Sequence, residues 1–332
     1  MSRAVRFHEY GGPEVLRLEE VAVGEPGPGE VRIAVEAIGV NRAEVLFRSG
    51  HYIEAARSLP AGLGAEAAGV VEAVGPGVGG FEPGRPVSVV PAFSMNDYPL
   101  YAERAIVPAA AVLHRPEGLD AVEAAAVWMP YVTAYGALVE VGGMRAGDTV
   151  VLTAASSSVG LAAIQVARRV GARPIATTRT PAKKQALIEA GAEEVVVTGE
   201  ESVSERVLGL TGGRGAELVF DAVAGPGVLD LARAVAPGGT LFLYGAVSGE
   251  VTPYPGFDLG MPALNIRTYT MHETTRDPAR LRRAEAFVTS GLAAGAFRPV
   301  VDRTFELERV ADAHRYMEAG EQIGKIVLTV GR

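Results

Sequence analysis

The sequence predicts an α/β protein in which a doubly wound parallel sheet, built from the middle of the chain, follows a β-rich region. Residues 148–179 read as strand, tight turn, helix and second strand. Strands and helices then alternate as far as residue 270, and residues 1 to about 122 form short alternating runs broken by glycine and proline. Alternation of that kind calls for parallel strands joined by crossover helices, whereas punctuated short runs call for a compact, irregular β domain.

In chain order, Val31 to Val35 alternates as Val-Arg-Ile-Ala-Val, and Gly69 to Val74 and Pro86 to Val90 are further strands. Gly11-Gly12-Pro13, Gly24 to Gly29, Gly75 to Gly80 and Pro83 to Pro86 separate them. Alanine-rich Asp120 to Val127 predicts a helix, and Val132 to Val141 a second one stopped by Gly142-Gly143. The β-branched run Thr149 to Thr153 opens the central unit; Ala154 to Ser158 is its turn, and Val159 to Val170 its helix, stopped by Gly171. Helix Ala182–Ala190, strand Glu194–Val197, helix Ser202–Leu210, strand Leu218–Asp221, helix Val228–Val235, strand Thr240–Tyr244 and strand Asn265–Thr270 follow. The tail holds helix Pro278–Ser290, a strand around Thr304-Phe305, helix Leu307–Ala319 and strand Ile326–Val330. It contains no further βαβ unit and is assigned back to the first domain, giving 1–122 plus 273–332 against 123–272.

The 31 basic and 39 acidic residues give a net charge of −8 without long runs, so no nucleic-acid surface is expected. The absence of cysteine rules out disulfides, thiolate zinc sites and a cysteine nucleophile. The N-terminus Met-Ser-Arg-Ala-Val-Arg-Phe-His lacks an apolar signal core. No stretch is expected to reach the roughly 20 apolar residues that span a bilayer, so a cytoplasmic protein with no membrane partner is expected.

The turn of the central unit places Ala155, Ser157 and Gly160 at the spacing of the G-x-G-x-x-G dinucleotide fingerprint. Only the third glycine, which permits close helix–strand packing, is kept; Ser157 adds a Cβ and a hydroxyl. Ser156, Ser157, Ser158, Val159 and Gly160 would offer backbone N–H groups and a helix N-terminus to a diphosphate, while an ordinary strand-to-helix turn with a serine cap is the alternative. At the end of the second strand, where an acid would bind a ribose diol, the chain has Thr177-Thr178-Arg179-Thr180, with Lys183 one turn later. Lacking the acid and gaining two cations, this end favours a 2′-phosphate, hence NADPH over NADH. The alternative is that both cations are solvent-facing charges on a helix start.

Several dispersed motifs fit one family: Ala4-Val5-Arg6-Phe7 with Tyr10-Gly11-Gly12-Pro13-Glu14-Val15-Leu16, Pro28-Gly29-Glu30-Val31, and Gly39-Val40-Asn41-Arg42-Ala43-Glu44 with Arg48-Ser49-Gly50-His51-Tyr52. Leu63-Gly64-Ala65-Glu66-Ala67-Ala68-Gly69-Val70-Val71, Ala124-Ala125-Ala126, Gly147-Asp148-Thr149-Val150 and Gly324-Lys325-Ile326-Val327-Leu328 complete them. In these the chain resembles the zinc-independent quinone oxidoreductase branch of the medium-chain dehydrogenase/reductase superfamily over essentially its whole length. The resemblance implies a GroES-like β domain with a Rossmann domain inserted in it, an active site in the cleft, and a homodimer paired through the strand around Asn265 to Thr270. Zinc-dependent relatives carry cysteine and histidine where this chain has Asn41 and Ala65, with Glu66 retained, so no metal is expected. His8, His51, His114, His272 and His314 show no ligand spacing.

The resemblance further implies that Asn41 faces the nicotinamide ribose and carboxamide and that Tyr52 lies at the reacting end, where a phenol can bond a substrate oxygen or donate a proton; packing of its own loop is the alternative for Tyr52. Thr133 and Tyr135 fall at nicotinamide-side positions, and Val223, Tyr244, Gly245 and Lys325 join the expected cofactor set with Thr178 and Thr198. Thr198 stands where relatives often have a tyrosine and Leu243 where they have a serine. The segments Tyr52 to Leu59 and Phe93 to Tyr101 are expected to wall the substrate pocket. The function implied is NADPH-dependent hydride transfer to a quinone or an α,β-unsaturated carbonyl. An enoyl-thioester reductase and a weakly catalytic NADPH-binding protein are the alternatives. No tyrosine precedes a lysine by four positions and no Gly-x-Ser-x-Gly elbow occurs, which disfavours short-chain dehydrogenase and serine hydrolase chemistry.

Overall fold

The structure, a computed structural model, describes residues 1–331. The chain divides into two compact units, Met1–Met129 with Thr275–Pro278 and Pro299–Arg332, and Pro130–Thr274 with Ala279–Arg298.

The second unit is a six-stranded, all-parallel sheet ordered Glu194–Val197, Arg173–Thr178, Thr149–Leu152, Ala216–Asp221, Val235–Leu243, Asn265–Thr268. Strand order reverses between Thr149–Leu152 and Ala216–Asp221, the place where open α/β sheets bind ligands at their carboxyl ends. Those strands read as continuous apolar runs because both faces are covered: Val151, Ile175, Val196, Val219 and Leu241, one from each of the first five strands, share a core cluster. The helix Ser158–Val170 starts on Ser157, whose Oγ accepts the Gly160 N–H at 3.1 Å, and stops on Gly171 at φ 89°. A Cβ on Gly160 would lie 2.5 Å from Ala155 Cα, so the third fingerprint glycine is required for helix–strand packing.

The first unit is a largely antiparallel sheet organised on the long strand Glu30–Val40, which pairs with Ala67–Val74, Arg104–Pro108 and Lys325–Thr329. Val301–Glu306 extends it in parallel beside Lys325–Thr329, and a separate three-stranded sheet contains Ser2–Phe7 and Leu16–Val21. Strand pairing thus brings residues 30–40 and 325–329, nearly a chain length apart, side by side.

The structure departs from the sequence expectations in four places. A helix that the sequence reading does not include, Arg42–Arg48, starts directly after Asn41, which stands at its N-cap position. The helix expected over Val132–Val141 is α-helical over Trp128–Tyr135 and then widens into a π-helical stretch, Gly136–Val141. The helix Pro278–Ala293 belongs with the second unit, because the Phe287 and Phe297 rings pack 4.8 and 4.9 Å from those of Tyr135 and Tyr131, and Arg283 pairs with Glu140. Finally, residues 121–141 do form one run long and apolar enough to cross a membrane, although 83% of its most apolar window is buried inside the protein, as in a core helix.

Candidate active site

Around the phosphate turn, the backbone leaves Thr149–Leu152 through Ala154, which is held at φ 45°, a left-handed conformation that costs a non-glycine residue strain. Ser156, Ser157, Ser158 and Val159 are all partly exposed, so the helix start is open to solvent, as an anion site requires, with the Gly160 N–H taken by Ser157 Oγ and the Ser157 N–H by the Ala154 carbonyl. Lys183 reaches the turn, its Nζ donating to Ser156 Oγ at 3.4 Å. Arg179 is exposed at the end of Arg173–Thr178 and has no ion-pair partner among the described residues. Thr178 is buried and donates to the Thr180 carbonyl, whereas the Thr198 hydroxyl is spent on the Thr178 carbonyl. The structure thus gathers Ser156, Thr178, Arg179 and Lys183 at one corner of the sheet.

At the carboxyl ends of the neighbouring strands, buried Asp221 accepts from the Thr153 hydroxyl at 2.6 Å and from the backbone N–H groups of Val223 and Ala224 at 2.9 Å each. These bonds fix the Val223 loop, in which Ala224 also has positive φ, 57°. Gly245 passes so close to that loop that a Cβ would sit 2.6 Å from the Ala222 carbonyl oxygen. Tyr244 stacks on Phe220, with ring centroids 3.8 Å apart. Burial raises its phenol far above the ordinary value, and the hydroxyl, beside the Ser157 side chain, makes no hydrogen bond of ordinary geometry among the described residues. A buried donor left over next to a phosphate turn fits a dinucleotide better than a plain turn.

In the first unit, Asn41 is the hub of a buried polar cluster. Its Nδ2 donates to the Gly39 carbonyl at 3.1 Å and to Glu44 Oε1 at 3.2 Å, and its Oδ1 accepts from Lys325 Nζ at 2.6 Å. Lys325 and Glu66, each about 1% exposed, form an ion pair, and Glu66 also accepts the Met129 N–H. Glu44, fully buried, accepts the N–H groups of Asn41 and Ala65. Burial raises its carboxyl to about 7, partly offset by Lys325 and the Asn41 bond. Neither Glu44 nor Glu66 was singled out from the sequence as an Asn41 partner, yet Asn41-x-x-Glu44 is a capping-box spacing that flags the first of them.

Tyr52 packs edge-on against Phe47 at 6.2 Å between centroids, and its hydroxyl has no hydrogen-bond partner among the described residues. Burial, reinforced by the Glu44 and Glu54 charges, pushes its phenol up to about 12, so it stays protonated at neutral pH. The two segments expected to wall a pocket are tied together: Ser94 Oγ donates to Glu54 at 2.7 Å, Arg57 pairs with Asp97 at 2.5 Å, and Asn96 binds the Ala55 carbonyl. In the second unit Thr133 is buried, and the Tyr135 hydroxyl is committed to Glu140 at 3.1 Å.

A six-stranded Rossmann sheet joined in one chain to a GroES-like β unit defines the two-domain dehydrogenase class. Known families agree: residues 27–117 match the alcohol dehydrogenase GroES-like domain and residues 158–290 the zinc-binding dehydrogenase domain. A quinone oxidoreductase of Pseudomonas aeruginosa is 34% identical, with 99% of each chain covered, and a 2-haloacrylate reductase of Burkholderia sp. is 31% identical over 99% of each. The crystal structure of Escherichia coli quinone oxidoreductase complexed with NADPH superposes with a TM-score of 0.91 at 28% identity, covering 98% of this chain and 99% of that one. The chain belongs to the medium-chain dehydrogenase/reductase superfamily, within its quinone oxidoreductase branch.

Zinc, which one matching family carries in its description, does not fit the residues present. Asn41 and Ala65 occupy the ligand positions noted above, and an ammonium group, Lys325 Nζ, is bonded to both Asn41 and Glu66. With the ammonium bonded to Asn41 and Glu66, and Glu44 engaged by the Asn41 amide and by the Asn41 and Ala65 N–H groups, a metal is left without ligands.

Proposed function

We propose that the protein is an NADPH-dependent, zinc-independent reductase of quinones or α,β-unsaturated carbonyls. The observation that carries this reading is the phosphate corner, where outward serines at a helix N-terminus adjoin an unpaired Arg179 and the Ser156-bound Lys183, with no acid at the strand end. Its support from relatives is that one solved homologue is described with NADPH, and that relatives are named for quinone and haloacrylate reduction.

In this reading Ser156, Ser157, Ser158, Val159 and Gly160 seat the diphosphate, with Tyr244, Gly245 and Val223 closing the other side. Arg179 and Lys183, with Thr178 and Thr198 near them, neutralise the 2′-phosphate. The reduced nicotinamide, when bound, supplies the hydride. Thr133 and Asn41 orient its ring and ribose, and Tyr52, held protonated, donates a hydrogen bond or a proton to the acceptor oxygen. A small-molecule acceptor is the expected partner. Strand Asn265–Thr268 is an open sheet edge following exposed Val251, Tyr254, Phe257 and Met261, which supports a homodimer paired through it.

The test is NADPH oxidation against a panel of ortho- and para-quinones, enones, haloacrylates and enoyl thioesters, with Tyr52→Phe beside wild type. Turnover confined to quinones and enones, lowered about 100-fold in Tyr52→Phe, supports the reading. NADPH binding without turnover of any acceptor contradicts it. Light scattering of the intact protein at twice the chain mass supports the dimer, and chain mass refutes it.

A further inference from the structure

We propose that Glu44 and Lys325 are positioning residues that lock the Asn41 carboxamide with its oxygen as the only free hydrogen-bonding end. Asn41 would then recognise a donor on the nicotinamide half of the dinucleotide and could not stabilise a substrate oxyanion. This deepens the function proposed above and rests on its placement of Asn41 beside the nicotinamide.

An amide carries two N–H donors and two acceptor lone pairs. Both donors of Asn41 are used, on the Gly39 carbonyl and Glu44, and one lone pair is used by Lys325. The opposite orientation would turn the amide N–H groups toward an ammonium and the oxygen toward a carboxylate and a carbonyl, so the surroundings themselves decide which end is which. One lone pair on Oδ1 is what remains, and the residue is 8% exposed. The groups able to satisfy it are the N–H of a carboxamide or the O–H of a ribose.

The arrangement is costly and serves no evident packing purpose. Glu44 is fully buried and has no hydrogen bond to a cation; the charged groups acting on it are Lys325 and Glu66, and it in turn acts on Tyr52 and Tyr101. At the helix start the Glu44 N–H is bonded to the Asn41 carbonyl at 3.2 Å and only approaches the Asn41 side chain, whose oxygen is bonded to Lys325, while Glu44 returns the reciprocal bond to the Asn41 backbone N–H. Glu66 in turn fixes Lys325 by a second buried charge. Lys325, placed in the cofactor set by its motif, therefore acts through Asn41.

The test uses intact protein labelled with 15N-asparagine, which gives side-chain amide signals from Asn41, Asn96 and Asn265 alone. In the cofactor-free wild type the Asn41 amide protons should exchange with solvent more slowly than the other two pairs. Glu44→Gln, which keeps the shape and removes an acceptor, should speed that exchange at least ten-fold. It should also weaken NADPH binding by calorimetry about ten-fold above neutral pH. In wild type the affinity should fall as Glu44 takes up a proton toward acid pH, and the difference from Glu44→Gln, in which the 2′-phosphate titrates identically, should vanish there. Lys325→Met with Glu66→Gln, which removes both partners of the buried ion pair together, should free the oxygen and give the same two losses if Glu44→Gln does not fold. Unchanged exchange in a folded variant overturns the lock whatever the cofactor does. A locked amide in a wild type that takes up no NADPH overturns the cofactor reading, and with it the recognition role given to Asn41.

Discussion

The serine turn of the second unit and the Asn41 cluster of the first solve opposite problems. At the turn, Ser156 to Val159 are partly exposed, and of the groups there the Gly160 N–H is capped by Ser157 Oγ and the Ser157 N–H by the Ala154 carbonyl, all within one short local segment. Around Asn41, every donor but one on Lys325 has an assigned acceptor, and Glu44, Glu66 and Lys325 are all shut away from water. Holding an anion asks only for a helix start and free N–H groups, which a short local sequence supplies. Holding one amide in one orientation asks for two carboxylates and a lysine from three separate segments.

The sharpest way to break the contrast is Lys325→Met. With Lys325 and Glu66 about 1% exposed, removing one partner leaves a buried charge unpaired, and chemical denaturation should register a loss of about 3–5 kcal/mol. Adding Glu66→Gln should recover much of it, whereas the equivalent change at the open corner, Lys183→Met, should leave stability within about 0.5 kcal/mol.

A second consequence is a pH dependence confined to the buried cluster. The fold raises the Glu44 carboxyl from 4.5 to about 7. Its favourable contribution is therefore whole below the unfolded value and is lost as pH rises toward the folded one, after which ionised Glu44 costs on the order of 3 kcal/mol. Denaturation at about pH 5 and about pH 8 should show wild type losing ground to Glu44→Gln at the higher pH; parallel behaviour at both would contradict the burial argument.

Smaller effects sharpen the comparison at the turn. If Arg179 meets the 2′-phosphate as proposed, Arg179→Ala should lose about 2 kcal/mol of binding toward NADPH alone; equal losses for NADH and NADPH by titration would refute it. Ser157→Ala removes the Oγ that caps Ser158–Val170 and should lower stability by about 1 kcal/mol in denaturant melts.

The same contrast explains what could be read from the chain alone. The βαβ opening, the serine cap at Ser157, the stop at Gly171 and the strand Glu194–Val197 were legible because each depends on residues within a few turns of one another. Arg42–Arg48 was missed as a seven-residue helix with little periodicity, although Asn41-x-x-Glu44 marks its start. The placement of Pro278–Ala293 turns on Phe287 and Phe297 meeting Tyr131 and Tyr135, contacts with no local signature. Lys325 was legible only as part of a motif. Its pairing with Glu66 and Asn41 arises from the antiparallel register of Lys325–Thr329 on Glu30–Val40, which no local pattern encodes.

The claim on which the rest depends is that the serine corner holds a phosphorylated dinucleotide. Isothermal titration of the intact protein with NADPH and, separately, with NADH measures it directly. Uptake of one NADPH per chain, with NADH bound at least ten-fold more weakly, is the predicted result; no heat with either nucleotide would contradict it.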